Sequence, residues 1–184
     1  MHFKERGLTL IELLITVSIL AMLAVFATPS LSNMVENSQR RAVINDTLAF
    51  FSMARQEAVI KGQVVTLCPL NNDNRCGRDW TKPLTLFSDP DNKRAVSQKS
   101  QIIRILPPPT NGILKVRSFR RSYFQYRPDG MIYSDLGNVT WCPDNQDARK
   151  AVRFLLPKSG MIRIAKDTDG DGYVEDSTGS PVQC

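Results

Sequence analysis

Gly7-Leu8-Thr9-Leu10-Ile11-Glu12 stands directly after a short leader carrying Lys4 and Arg6 against Glu5, and directly before the uncharged run Leu13-Leu14-Ile15-Thr16-Val17-Ser18-Ile19-Leu20-Ala21-Met22-Leu23-Ala24-Val25-Phe26-Ala27. Leu8 to Thr28 is 21 residues. At about 1.5 Å per residue these cross a hydrocarbon core of roughly 30 Å as one helix. The positive leader then stays in the cytoplasm and the rest of the chain lies outside. Glu12 is the one acid in this segment. An ionised carboxylate in a bilayer costs a few kcal/mol, so a positively charged partner is expected to offset it. The competing reading is a cleaved secretory signal peptide, with Ala27-Thr28-Pro29 imitating the cleavage site. Glu12 at the start of the apolar stretch, and a helical pattern that runs on past Pro29, argue against it.

These residues carry a resemblance. Gly7-Leu8-Thr9-Leu10-Ile11-Glu12 resembles the class III signal of type IV pilins and type II secretion pseudopilins, usually Gly-Phe-Thr-Leu-Ile-Glu, with Leu8 in place of the usual Phe. The resemblance implies cleavage after Gly7 by a prepilin peptidase and N-methylation of the new terminus at Leu8. Residues 1–7 are then a leader and 8–28 a transmembrane and assembly helix. Glu12 and Pro29 become the fifth and twenty-second mature positions, which the family fills in this way.

Over 184 residues the chain carries a net charge of +6. The leader takes two cations and one anion with it, leaving +5 on the side chains of the mature form. That excess suits a solvated surface, nucleic acid, anionic lipid or an acidic partner subunit. Cys68, Cys76, Cys142 and Cys184 are four cysteines in a body expected outside the membrane, so disulfides are the default. Of three possible pairings the expected one joins Cys68 to Cys76 across an Asn/Asp loop and Cys142 to Cys184 at the last residue. The only histidine, His2, leaves with the leader. The mature chain therefore has no imidazole for Ser-His-Asp or Cys-His chemistry or for a His-ligated metal. No Walker loop, GxGxxG or HExxH is present. The expectation is a non-enzymatic protein.

Beyond Pro29, where a kink or locally freed backbone bonds are expected, the helical period continues. Ile44, Leu48, Phe51, Ala54 and Ala58 share one face and Gly62 is a natural stop. Residues 29–61 read as an amphipathic continuation of the helix. From 63 onward the period changes to two. Strands are expected at 63–67, 84–87, 101–105, 113–117, 123–126, 131–133, 139–142, 151–156 and 161–164. Pro-, Asp- and Gly-rich turns at 89–92, 107–112, 128–130 and 158–160 separate them. The fold class is α+β: a long N-terminal helix packed on an antiparallel β domain at 63–184.

The resemblance extends along the chain. Ala54-Arg55-Gln56-Glu57-Ala58-Val59, Val64-Val65-Thr66-Leu67-Cys68-Pro69, Trp80, Leu86-Phe87-Ser88-Asp89 and Phe124–Gly130 are similar to the GspH/FimT/FimU branch of minor pilins and pseudopilins. It implies a single-pass inner-membrane protein of a Gram-negative bacterium. The β domain is periplasmic and the subunit later joins a pilus or pseudopilus near its tip, with other pilins or pseudopilins as partners. In the family the acid at the Glu12 position neutralises the terminal amine of a neighbouring subunit.

Two alternatives remain open within that branch. One is a GspH-like pseudopilin of type II secretion. The other is a FimT-like DNA-binding pilin for DNA uptake. For the latter, Arg117, Arg120, Arg121 and Arg127 interleave with Phe119, Tyr123, Phe124 and Tyr126, so that arginines hold phosphates while rings stack on bases. Lys158, Arg163 and Lys166 flank Gly160-Met161-Ile162-Arg163, which matches the Gly-Arg-x-Arg segment of the DNA-binding relatives without its first arginine. Separately, Asp167-Thr168-Asp169-Gly170-Asp171-Gly172-Tyr173-Val174-Glu175 resembles a calcium loop. Asp167, Asp169, Asp171 and Glu175 would supply carboxylates and Tyr173 its carbonyl, although position twelve is Thr178. An acidic surface hairpin is the plainer reading of the same residues.

Overall fold

A computed structural model describes residues 9–118, 121–134 and 136–184, with backbone alone at 25–30, 32 and 33. One helix, α1, runs from Leu10 to Lys61, Pro29 included. It stops where Gly62 adopts a φ of 62°, which costs glycine little and lets Gln63 N–H return to the carbonyl of Ala58. The chain divides into two compact units, Met1–Gln39 and Arg40–Cys184. The second takes in the last turns of α1 because they supply part of its core.

In that unit α1 buries Thr47, Phe50, Phe51, Ala54 and Ala58. The expected stripe is present but rotated: Ile44 and Leu48 lie at its half-buried margin. The strands are β1 (Val65–Pro69), β2 (Leu84–Ser88), β3 (Ile102–Leu106), β4 (Ile113–Arg117), β5 (Phe124–Tyr126), β6 (Gly137–Cys142), β7 (Val152–Leu156) and β8 (Arg163–Ile164). They form two four-stranded sheets, ordered β3-β2-β1-β5 and β4-β6-β7-β8. Every pairing between named strands is antiparallel.

The expected strand at 131–133 does not form. Ile132 makes one isolated bridge to Tyr126, while its N–H donates sideways to the carbonyl of Lys158. The ladder ends there because the next donor on β5, Gln125 N–H, turns to Ser134 Oγ at 3.2 Å instead of to a backbone carbonyl, while the outward N–H of Ile132 is held by another turn. That turn, at Gly160, sits against Gly130, and Arg55 Nε of α1 donates to the Gly130 carbonyl at 3.0 Å. A Cβ on Gly160 would strike the Gly130 carbonyl, and its φ of 76° is a second reason for glycine there.

Both sheets contribute to one core. Val65 and Leu67 of β1, Leu84 and Leu86 of β2, Phe124 of β5, Val139 and Trp141 of β6 and Phe154 of β7 bury together against the α1 stripe. Phe124 meets Phe51 edge-on at 5.7 Å. β1 is buried on both faces: Cys68 packs with Phe87 and Tyr123 on the other side, in a small second cluster that Cys76 and Leu70 border. The disulfides are Cys68–Cys76 and Cys142–Cys184, with Cα separations of 5.4 and 5.5 Å, as the sequence leads one to expect. The loop-entropy model assigns them about 2.5 and 4 kcal/mol respectively.

Candidate functional site

The N-terminal segment is a helix start built by its own residues. Thr9 is the cap: its Oγ1 accepts from Glu12 N–H at 3.3 Å and its carbonyl accepts from Leu13 N–H at 3.2 Å. Thr9-x-x-Glu12 is the capping-box spacing, a signal that the expectation of a charged anchor overlooked. Glu12 therefore has a local role, an acid in the first turn where the helix dipole favours it. Its side chain is exposed. Leu10, Ile11, Leu13, Leu14, Ile15, Val17, Ile19, Leu20, Met22 and Leu23 are each more than half exposed, on every side of the helix. A helix apolar all round and uncovered by its own unit needs other apolar surroundings. The two hydroxyls in the run are already satisfied: Thr16 Oγ1 donates to Leu13 O at 2.9 Å and Ser18 Oγ to Leu14 O at 2.8 Å. In a medium without water this is what polar side chains must do.

Gly7 and Leu8 lie outside the described residues, and the side chain of Pro29 is not described. Among the described residues no helix is long and apolar enough to cross a membrane. The run 10–24, whose side chains are described, reaches only about 22 Å at 1.5 Å per residue, and the expected segment 8–28 extends beyond it at both ends.

At the other end of the chain the acidic loop closes on itself. One carboxylate oxygen from each of Asp167, Asp169, Asp171 and Glu175 lies within 4.8 Å of the others. Ligands at opposite poles of a calcium ion are about 4.6–5.2 Å apart, given Ca–O distances of about 2.3–2.6 Å, so the spread matches. Backbone amides hold the carboxylates inward. Asp167 accepts from Gly170 N–H at 2.7 Å and Gly172 N–H at 2.9 Å, Asp171 from Tyr173 N–H at 2.8 Å, and Glu175 from Thr168 N–H at 3.1 Å. Gly170 and Gly172, with φ of 81° and 88°, make the turns. The hydrogen bond from Asp171 N–H pulls the Asp169 carboxyl down, but desolvation and the carboxylates of Asp171, Glu175 and Asp167 outweigh it and raise it. Glu175 is lowered, chiefly by the Thr168 N–H. Tyr173 is fixed by Arg149, whose Nε donates to the phenol oxygen at 3.1 Å and whose guanidinium lies 5.4 Å over the ring. The four carboxylates fit a hard divalent cation; Tyr173 offers a carbonyl from the same loop.

The arginine–aromatic segment does not make one surface. Tyr123, Phe124 and Tyr126 are buried, so they offer no faces for bases to stack on. Phe119 and Arg120 lie outside the described residues. Arg117 ends β4 in one sheet. Arg121 donates to the Tyr123 hydroxyl at 2.6 Å beside the other sheet, with Arg94 over the same ring. Arg127 pairs with Asp129 at 2.6 Å. Lys158, Arg163 and Lys166 are exposed around the end of β7 and β8. The segment leaves one sheet at Arg117 and enters the other at Phe124, and that divides its cations.

Sequence reasoning also missed Asp89, which it took as a turn former. Asp89 is 2% exposed and accepts from Thr66 Oγ1 at 2.8 Å, Lys93 N–H at 2.7 Å and Arg94 N–H at 3.0 Å. Gln125 Nε2 bridges Thr66 at 2.9 Å and Asn92 at 2.7 Å. This network fixes the 89–94 loop, in which Asn92 and Arg94 hold φ of 56° and 54°.

Comparison with known proteins adds to this geometry. The family model described as Type II transport protein GspH matches residues 43–156, and that of the prokaryotic N-terminal methylation motif matches residues 2–28. Among solved structures the chain is similar to the type IV minor pilin FimU of Pseudomonas aeruginosa strain PAO1. Identity is 16% and the TM-score 0.55, over 82% of this chain and 98% of that one. A second crystal form of the same pilin gives a TM-score of 0.51 at 16% identity, over 80% and 98%. The minor pseudopilin EpsH of the type 2 secretion system of Vibrio cholerae gives 0.50 at 14% identity, over 68% and 95%. At such identities these likenesses establish the fold alone. No curated protein matches the sequence.

Proposed function

Since the chain belongs to the GspH family, and is thus a minor pilin or pseudopilin of a type IV pilus or a type II secretion system, we propose that it is a minor pilin. In this reading it is incorporated at or near the tip of a type IV pilus and helps to start assembly. The observation that carries the reading is Glu12, exposed in the first turn of a helix whose apolar side chains find no cover in their own unit. Residues 8–28 wait in the inner membrane after prepilin peptidase cleaves at Gly7 and the amine of Leu8 is methylated. On incorporation the Glu12 carboxylate meets the terminal amine of a neighbouring subunit. Two groups that are each costly in lipid then remove one another's penalty, and a subunit out of register leaves both unpaired.

Families of this kind are structural rather than enzymatic, and the mature chain's lack of histidine agrees with that. The loop at 167–175 is the calcium site in this reading, held by Asp167, Asp169, Asp171 and Glu175 with the Tyr173 carbonyl. The ion would supply charge neutralisation and stiffen the C-terminal hairpin. Deletion of the gene tests the placement. Loss of surface pili supports a minor pilin. Retained pili with lost protein secretion would favour a GspH-like pseudopilin, and retained pili with lost DNA uptake a FimT-like one. The buried rings of Tyr123, Phe124 and Tyr126 weigh against the last.

A further inference from the structure

The outward face of the second sheet carries a row of charge that neither the assembly helix nor the cation loop uses. Strand alternation places Leu114, Val139, Val152 and Phe154 in the core. It sends Lys115 and Arg117 of β4, Asn138 and Thr140 of β6 and Arg153 of β7 to the opposite face. The register sets Lys115, Thr140 and Arg153 side by side, with Arg117 beside Asn138 in the next row. Such a face is normally solvated. Here the C-terminal segment crosses over it, tied by Cys142–Cys184, by Val182 N–H to the Val174 carbonyl, and by Lys115 Nζ to the terminal carbonyl of Cys184. Between segment and sheet lies a cleft of about 340 Å³ lined by these residues. At about 30 Å³ per water it has room for a solvated ion.

Arg153 is the anomaly. It is only 7% exposed, and its Nε is buried with no hydrogen-bond partner. Guanidinium stays charged in proteins, and a buried charge without a partner is among the costlier arrangements a fold can hold. Among the described residues neither Arg153 nor Arg117 makes a side-chain hydrogen bond or ion pair. Asp176 lines the same cleft without forming an ion pair to either guanidinium, its Oδ1 accepting from Thr178 N–H at 2.7 Å, Thr178 Oγ1 at 2.6 Å and Ser180 N–H at 3.3 Å. Burial lowers the Arg153 guanidinium from its ordinary value, with Asp176 opposing and Arg117 adding to the effect. Two guanidinium groups without a hydrogen bond, one lysine and the neutral donors of Asn138 and Thr140 line a space whose one acid, Asp176, pairs with neither arginine.

We propose that this cleft binds an oxyanion, a phosphate or carboxylate group, gripped by Arg153 and Arg117 and closed over by the C-terminal segment. Planar guanidinium groups match such oxygens two at a time, and Arg153 is already desolvated, so its hydrogen bonds to the anion are strong. The inference does not depend on whether the subunit serves a pilus or a secretion system.

The test uses the full chain in non-ionic detergent with chelator present, so that the neighbouring cation loop stays silent. Thermal unfolding is followed as sodium phosphate, or separately sodium glutarate, replaces sodium chloride at constant ionic strength. The expected result is a saturable rise in Tm. Arg117→Gln, an exposed position that does not threaten folding, shifts the half-saturating concentration upward by about tenfold, as loss of one charge-assisted contact requires. Arg153→Met abolishes the rise. Saturation by phosphate alone identifies a phosphoryl source; saturation by glutarate as well identifies a carboxylate such as an acidic side chain presents. A rise that never saturates is the general exclusion effect of the salt and overturns the proposal. An identical saturating rise in Arg117→Gln, or no rise with either anion, overturns it too.

Discussion

Replacing Asp89 by alanine removes the acceptor on which a whole loop rests. Its two oxygens take the N–H groups of Lys93 and Arg94 at 2.7 and 3.0 Å and the Thr66 hydroxyl at 2.8 Å, with Gln125 Nε2 at 3.3 Å. Thr66 and Gln125 can still satisfy each other across their 2.9 Å contact. The two backbone N–H groups each lose a charged acceptor, and hydrogen bonds to a charged group contribute about 1.5–3 kcal/mol each. The loss expected for Asp89→Ala is therefore at least about 3 kcal/mol, the lower end of that range for two bonds. The loop's two positive-φ residues, Asn92 and Arg94, are then free to relax, which also releases Arg94 from the Tyr123 hydroxyl. Urea unfolding of a fragment from residue 40 suits the measurement, since that unit holds the buried core of the described residues and both disulfides. With a slope of about 1.5–2 kcal/mol per molar urea, the midpoint falls by about 2 M. Asp91→Ala is the internal control, because its pair with Lys93 is about two-thirds exposed on both sides and contributes little. A loss below about 1 kcal/mol for Asp89→Ala, or equal losses at 89 and 91, would refute the reasoning.

Calcium at about a hundred times its dissociation constant should add about 2.7 kcal/mol to the fragment's stability. Chelator should remove it, and an unchanged Tm counts against the site. Calcium affinity should fall as pH is lowered, because protons compete for the carboxylates: Asp169, raised above 3.8, takes a proton at higher pH than an ordinary aspartate, and Glu175, held below 4.5, at lower pH than an ordinary glutamate. Titration calorimetry between pH 7 and 4 reads this, and a flat profile contradicts it. Removing the Cys142–Cys184 bridge by paired serine substitutions should cost about 4 kcal/mol, against about 2.5 for Cys68–Cys76, because it closes the longer loop. The reverse order in urea midpoints would contradict that account. Tyr126→Phe should be neutral or stabilising by up to about 1.5 kcal/mol, since the buried hydroxyl it deletes has no partner. A loss beyond about 1 kcal/mol would mean that a partner exists.

Features set by local chemistry were readable from the chain. Helix period, the Gly62 stop, most strands and the acidic loop all depend on neighbours within a dozen residues, and both disulfides followed from loop composition and the position of the last cysteine. What escaped the reading depends on contacts distant in sequence. Arg153 sits on the outward beat of β7 and reads as solvated; only the returning C-terminal segment buries it. The arginines from Arg117 to Arg127 look like one patch in a line of text, yet the chain changes sheets between them. Asp89 looks like a turn former, and it is one, but its carboxylate also meets Thr66 and Gln125 from two strands. The strand expected at 131–133 stops at one bridge, where Gln125 N–H turns to the Ser134 hydroxyl and the outward N–H of Ile132 is held by Lys158, 26 residues beyond it.

The assembly claim rests on Glu12, and one measurement addresses it most directly: the ratio of filament-incorporated to membrane-resident subunit for Glu12→Gln against wild type. An ionised carboxylate in hydrocarbon carries a penalty of about 2.5–3.5 kcal/mol, roughly a 60- to 300-fold effect if a neighbour's amine no longer offsets it or is left unpaired itself. The account predicts an unchanged amount in the membrane fraction, since glutamine is easier to insert than an ionised glutamate, and at least a tenfold fall in purified filaments. Wild-type incorporation of Glu12→Gln would contradict it and leave Glu12 as no more than a first-turn acid favoured by the helix dipole.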